Sequence, residues 1–130
     1  MASRLYVHLT WTTLRRLPLI TSPVAIFLDR FLRQEAGRHA ARPLSIGIVV
    51  DHVHMIIEVP PVFDFPRLVQ GLKGASARIA NRDGHASPRP LQWAGGYDAR
   101  SVGVSRVAAA VRYVERQSER HPERVIGLVE

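Results

Sequence analysis

The chain has 130 residues, no cysteine and a hydrophobic fraction of 46%. That is enough for one domain around a single core and excludes disulfides and thiolate metal sites. No apolar run approaches the roughly 20 residues that span a bilayer, and no signal peptide is evident, so the expectation is a soluble cytoplasmic protein without a membrane partner. A formal charge of +7, from 18 basic and 11 acidic residues, favours a polyanionic partner, with nucleic acid first. A GC-rich genome would explain why Lys73 is the only lysine among the arginines. It would not explain the excess of cations.

Leu5, Val7, Leu9 and Trp11 alternate with Tyr6, His8, Thr10 and Thr12, which predicts a first strand near residues 4–13. Arg15 and Arg16 follow in a loop. Ser22 and Pro23 read as the N-cap and first residue of a helix. Val24, Phe27, Leu28, Phe31 and Leu32 then recur at helical spacing and carry that helix to about residue 39. A second strand runs from Pro43 through Val50, Asp51 reads as a turn residue, and a third strand returns to Val59 before Pro60 and Pro61.

Asp64 can cap a second helix with Leu68, Val69, Leu72, Ile79 and Ala80 as its apolar face. At about 100° per residue, Arg67, Gly71, Gly74 and Arg78 share a different stripe. The two glycines either let a phosphate backbone approach or let the helix pack tightly on a neighbour. Residues 84–90 read as a loop. Residues 91–104, with Trp93, Gly95, Gly96 and Tyr97, read as a loop and a short strand. Ser105 caps a last helix that ends near His121 and Pro122. No internal repeat or linker interrupts this order. One α+β domain over residues 1–130 is expected, an antiparallel sheet with two helices on one face.

Within the third strand, His52 and His54 lie two residues apart. They share one face with their Cα atoms roughly 7 Å apart, close enough for two imidazoles to hold one metal ion. The alternative is a pair of hydrogen-bonded or surface histidines. Val53, Met55, Ile57 and Val59 fall on the opposite face as core.

The last helix treats its tyrosine unusually. Val107, Val111 and Val114 define an apolar face with Ala108 and Ser118 at its margins, and Tyr113 lies roughly 140° from its centre. Gln117, four residues on, is its neighbour. Arg106 and Arg120 share that polar side. Tyr113 is either a surface or loop-packed tyrosine or a phenol placed to attack phosphate. A free phenol titrates near pH 10, about three units above neutrality, so attack needs an activated phosphate or nearby positive charge. A metal on two histidines would polarise that phosphate.

These segments together resemble the single-tyrosine HUH transposases of small insertion sequences and their REP-associated relatives. The resemblance is carried by His8-Leu9-Thr10-Trp11 through Arg15-Arg16, by Asp51-His52-Val53-His54-Met55-Ile56-Ile57 and by Leu72-Lys73-Gly74-Ala75-Ser76-Ala77-Arg78. Trp93-Ala94-Gly95-Gly96-Tyr97 with Ser101-Val102, and Tyr113-Val114-Glu115-Arg116-Gln117 with His121 beyond, continue it. Their shared order and spacing are more specific than any one segment.

The resemblance implies a ferredoxin-like or RNA-recognition-motif-like antiparallel sheet with a C-terminal catalytic helix. It implies a divalent metal, Mg²⁺ or Mn²⁺, held by His52, His54 and Gln117. Imidazole ligands tilt toward the softer Mn²⁺, and cellular abundance toward Mg²⁺. It also implies that Tyr113 attacks single-stranded DNA, leaving a 5′-phosphotyrosine and a free 3′-hydroxyl, at hairpin ends of a mobile element. Many members are homodimers in which one subunit's tyrosine helix completes the other's site.

Arg15, Arg16, Arg67, Lys73 and Arg78 are the candidate DNA-binding residues, placed in a loop and on one helix flank. Asp51 is open between turn former and a group orienting a histidine. Tyr97 is a second tyrosine, read as structural. The rival to a transposase is a domesticated, non-catalytic protein that binds single-stranded or hairpin DNA. A metal-binding domain unrelated to DNA is a third reading, and the net charge argues against it.

Overall fold

The computed structural model describes residues 4–117. The expected end of the last helix near His121 and Pro122, together with Ser118 and Arg120, lies outside the described residues. Four strands form one sheet: β1 (Leu5–Thr12), β2 (Arg42–Val49), β3 (His52–Val59) and β4 (Asp98–Val102). Their order is β2-β3-β1-β4, and every neighbouring pair is antiparallel. This is the ferredoxin-like arrangement.

The core lies between one face of the sheet and the helix α1 (Ser22–Arg38), with α2 (Phe65–Gln70) and α3 (Ser76–Arg82) beside it. The alternation in the strands dictates that face. Leu9 and Trp11 of β1, and Val53, Met55, Ile57 and Val59 of β3, are buried against Val24, Phe27, Leu28 and Leu32 of α1. Each such side chain contributes about 1.5–3 kcal/mol by leaving water.

Helix boundaries follow local chemistry with small shifts from expectation. Thr21, not Ser22, occupies the N-cap position of α1. Asp64 caps α2 as expected, its carboxylate accepting from the Arg67 backbone N–H at 3.1 Å. Between α2 and α3 the helix widens into one π turn over Gly71–Ala75. The two glycines there divide their roles. A Cβ on Gly71 would collide with the Glu35 carboxylate and meet His39, so its smallness lets α1 pack close. A Cβ on Gly74 would meet nothing.

The other face of the sheet is covered by α4 (Val107–Glu115), which packs against β2 and β3. It is entered through a short 3-10 turn over Val104–Arg106, so Ser105 lies within that turn and does not cap the helix. Contact is closest at Gly47 of β2. A Cβ there would stand 2.9 Å from the Val114 carbonyl oxygen and 3.2 Å from its Cγ1. At the far end of this face Glu58 accepts from Arg42 and Tyr6, each at 3.1 Å. The Arg42 hydrogen bond holds the Glu58 carboxyl below the usual range.

The approach at Gly47 generates a test. Gly47→Ala pushes a methyl into backbone that has little room to yield, an overpacking cost of about 1–3 kcal/mol. The thermal midpoint should fall, and amide exchange should rise in α4 while α1 keeps its protection. Unchanged protection of α4 in that variant would refute the close packing.

Candidate metal and phosphate site

Three strands and one helix meet on the α4 side of the sheet. Register alone brings the polar residues together: Thr10 of β1 and Gly47 of β2 both lie directly opposite His54 of β3, and Thr12 and Val49 lie opposite His52. The rings of His52 and His54 are 4.6 Å apart between centroids and nearly perpendicular. Tyr113 lies over them, its ring 6.5 Å from that of His54 and 6.4 Å from that of His8.

Each histidine is oriented by a neighbour. His52 Nδ1 lies 2.8 Å from Asp51 Oδ1. With Nδ1–H donating to that carboxylate, the tautomer that carries its lone pair on Nε2 is selected, the pattern typical of ligating histidines. Asp51 therefore has both of its candidate roles, since it also stands in the β2–β3 turn. Its second oxygen meets Arg16 at 3.4 Å. His54 Nδ1 faces Thr10 Oγ1 at 3.1 Å and His8 Nε2 at 3.2 Å. Burial pushes His8 below the usual imidazole range, opposed by Asp98.

Gln117 tests whether these residues fit a metal. It is only 4% exposed. Its Oε1 is buried with no hydrogen-bond partner among the described residues. Leaving a buried carbonyl oxygen unsatisfied costs about 1–3 kcal/mol, so such an atom is available to a ligand. Among the described residues, no three His, Cys, Asp or Glu side chains could hold a metal ion together. A centre here would draw its third ligand from another residue type; Gln117 stands over Gly47, the strand partner of His54, and an amide oxygen joined to two imidazoles would suit a divalent ion of intermediate hardness.

Tyr113 is 41% exposed and so reachable from solvent. The valine stripe placed it on a polar face, but the buried face of α4 is turned toward Gln117. Val114 and Gln117 are buried, Val107, Ala110 and Val111 half-buried, and Tyr113 borders the contact. A glutamine counts as polar in a helical-wheel reading, which biased the expected face toward the valines.

The five candidate DNA-binding residues fall into three places. Arg15 and Arg16 form the turn after β1, both with positive φ, 54° and 57°, and Arg16 reaches Asp51. That turn is pinned by buried Thr13, whose hydroxyl donates to the Leu17 carbonyl at 2.6 Å. Arg67 and Arg78 line an open groove of about 790 Å³ between α1 and the α2–α3 helix, with Gly71 and Gly74 on its wall. This groove is in the helix layer, on the opposite side of the sheet from His52 and His54. Lys73 is engaged elsewhere: its ammonium donates to the carbonyls of Ala94 and Gly96 at 2.8 and 2.6 Å. Tyr97 packs edge-on against Phe65, 5.5 Å between centroids.

Sequence reasoning missed His8, Thr10 and Gly47. The signal for the first two was present, because β1 alternation sets His8 and Thr10 opposite Leu9 and Trp11, facing away from the core. Gly47 gave no signal beyond a glycine in a strand.

Comparison with known proteins places this geometry. The chain is 33% identical over 75 residues to the ISDra2 transposase TnpA of Deinococcus radiodurans; the stretch covers 58% of this chain and about half, 54%, of that relative. A crystal structure from Deinococcus radiodurans R1, described as a candidate transposase, superposes with a TM-score of 0.69 at 27% identity over 90% of this chain and 93% of that one. A REP-associated tyrosine transposase, bound to a REP hairpin in its structure, shares the fold with the same TM-score at 13% identity, covering 99% of this chain and 72% of the other. No helix among the described residues is long and apolar enough to cross a membrane. The family described as "Transposase IS200 like" matches residues 1–117, and the chain belongs to that family.

Proposed function

We propose that this protein cleaves and rejoins single-stranded DNA through Tyr113, at hairpin ends of a mobile element. The observation that carries the reading is the buried, partnerless Gln117 Oε1 beside two oriented histidines, under a solvent-reachable tyrosine. His52, His54 and Gln117 would hold a divalent ion, Mg²⁺ or Mn²⁺, which when bound supplies Lewis-acid polarisation of a phosphate oxygen. The phenol oxygen of Tyr113 forms a bond to phosphorus as the P–O3′ bond breaks, its proton leaves, and the departing 3′-oxygen takes one up. The product is a 5′-phosphotyrosine and a 3′-hydroxyl, and attack by another 3′-hydroxyl reverses the step. One ester replaces another, so no external energy source is needed. A protein that only binds hairpins would need the arginines but has no use for the Asp51–His52 and Thr10–His54 contacts.

The decisive measurement is a denaturing gel for a covalent protein–DNA adduct in the presence of Mn²⁺. Tyr113→Phe keeps the ring and removes the nucleophile, so the adduct should vanish; an undiminished adduct rejects the assignment. His52→Ala, His54→Ala and Gln117→Ala should each abolish cleavage and largely spare DNA binding, because binding is mainly phosphate contact. Calorimetric titration of Mn²⁺ should show one site in the parent and none in His52→Ala; equal metal binding in both would reject the ligand set.

Arg67 and Arg78 are assigned to the hairpin stem, since they lie across the sheet from the scissile site, and Arg16 lies nearer the histidines through its contact with Asp51. Positive φ at two consecutive arginines costs about 1–3 kcal/mol each, which a purely structural turn would avoid with glycine. Removing one such cation should shallow the log–log salt dependence of binding by about 0.7–0.9. An unchanged affinity and slope would turn that surface away from DNA. Lys73 contributes, on this reading, chiefly by holding residues 94–96.

The functional unit is proposed as a homodimer, because α4 buries few residues on its own sheet and a second copy offers the same socket at Gly47. Sedimentation as a monomer at assay concentration rejects it. Within a dimer, mixed His52→Ala and Tyr113→Phe subunits regain partial cleavage only where α4 exchanges between copies.

A further inference from the structure

Two hollows flank α4. One, of about 520 Å³, lies between β4 and the start of α4 and is lined by His8, Arg100, Val102, Arg106 and Ala109 among others. The second, of about 420 Å³, is bounded by Ala109, Arg112, Tyr113 and Arg116. Both are within the range of about 300–1,000 Å³ that accommodates small ligands. They share Ala109 as a lining residue.

From this we infer that the two hollows form one track for single-stranded DNA, with Ala109 as its saddle. Arg106 grips the phosphate next to the one at Tyr113, and the hollow beside β4 takes the adjoining nucleotide. The inference rests on the proposed function and names the strand-positioning residues that reading leaves unassigned. Arg106, Arg112 and Arg116 form no ion pair with any described residue. Arg100 is tied to Asp98 at 3.0 Å and is partly neutralised, so Arg106 carries the main contact.

Arg106 and Arg112 stand six residues apart, roughly 9 Å along a helix at about 1.5 Å per residue. That spacing lets the two guanidinium groups reach different phosphates of one strand. In the β4 hollow the imidazole of His8 and the side chain of Val102 supply a ring face and an apolar wall. A base can rest there without being read by hydrogen bonds, which suits a sequence-tolerant single-strand site.

The test uses a fluorescein-labelled, degenerate single-stranded DNA of about twelve nucleotides. Its binding is measured by anisotropy in EDTA on the Tyr113→Phe protein, so that no chemistry intervenes. Adding Arg106→Ala should weaken binding about fivefold or more and shallow the salt slope by about 0.7, and Arg106→Lys should restore the slope. Ala109→Leu, at an exposed helix position that tolerates leucine, should weaken binding comparably by blocking the saddle. Arg82→Ala removes an exposed arginine paired with Asp83 and should change neither. With Tyr113 intact, Arg106→Ala should raise the DNA concentration needed for half-maximal adduct formation.

If the parent forms the adduct and both track variants bind like it, the track is wrong and the proposed function stands. If the parent neither binds the probe nor forms an adduct, the proposed function falls and the track with it. Variants whose thermal midpoints match the parent exclude misfolding as the cause of a loss.

Discussion

The site depends on one steric constraint, the close approach of α4 to the backbone of β2. Only a glycine at position 47 leaves space for the Val114 carbonyl, because any Cβ would sit 2.9 Å from it. Gly47 is paired directly with His54, so the gap in the sheet surface opens beside the histidine. Lowering α4 into that gap buries Gln117, whose Cβ would lie 3.7 Å from the missing methyl. Tyr113, one turn earlier, is brought over the histidine rings. A single missing side chain thus sets the height of the helix and the separation between Tyr113 and the metal-binding candidates.

Around this contact the sheet supplies rigidity. His52 and His54 lie on a central strand, with β2 on one side and β1 on the other. Their second partners come from elements fixed by the core: Asp51 from the β2–β3 turn, Thr10 and His8 from β1. Thr13 links the same turn to β1, its backbone N–H donating to the Asp51 carbonyl at 2.9 Å. Imidazoles held in this way lose little freedom on taking up a ligand, which is the advantage of building a site on strands.

Much of this was legible in the sequence. Period-two alternation gave β1 and β3 and their core faces, and Asp64 marked a helix start correctly. The Gly71 and Gly74 stripe was visible, and α1 packing bears out the tight-packing alternative at Gly71, while Gly74 faces open space. The π turn was not legible, because no residue marks the change of helical period there, and the packing of Glu35 beside Gly71 was hidden as well. Burial of Gln117 was hidden for a related reason. A wheel scores an amide as polar, whereas here it is buried with its Oε1 lacking a hydrogen-bond partner among the described residues. His8 was readable from strand alternation but carried no weight until pairing of β1 with β3 set it against His54.

The net charge of +7 is not spread evenly. Arg4 and Arg42 converge on Glu58, Arg33 on Asp29 and Arg82 on Asp83. Exposed pairs of this kind contribute little to stability, about 0–1 kcal/mol, and remove cations from any role in attracting DNA. The arginines left without a described carboxylate include Arg67 and Arg78 in the helix layer and Arg106, Arg112 and Arg116 along α4. These two groups lie on opposite faces of the sheet. On the proposed function, a folded hairpin on one face and its single-stranded flank on the other must be joined around an edge of the sheet. β4 is such an edge, and the hollow at Arg100 and Arg106 opens beside it. On that reading, a strand entering there meets cations before it meets Tyr113, which would favour presenting its backbone, not its bases, to the proposed nucleophile.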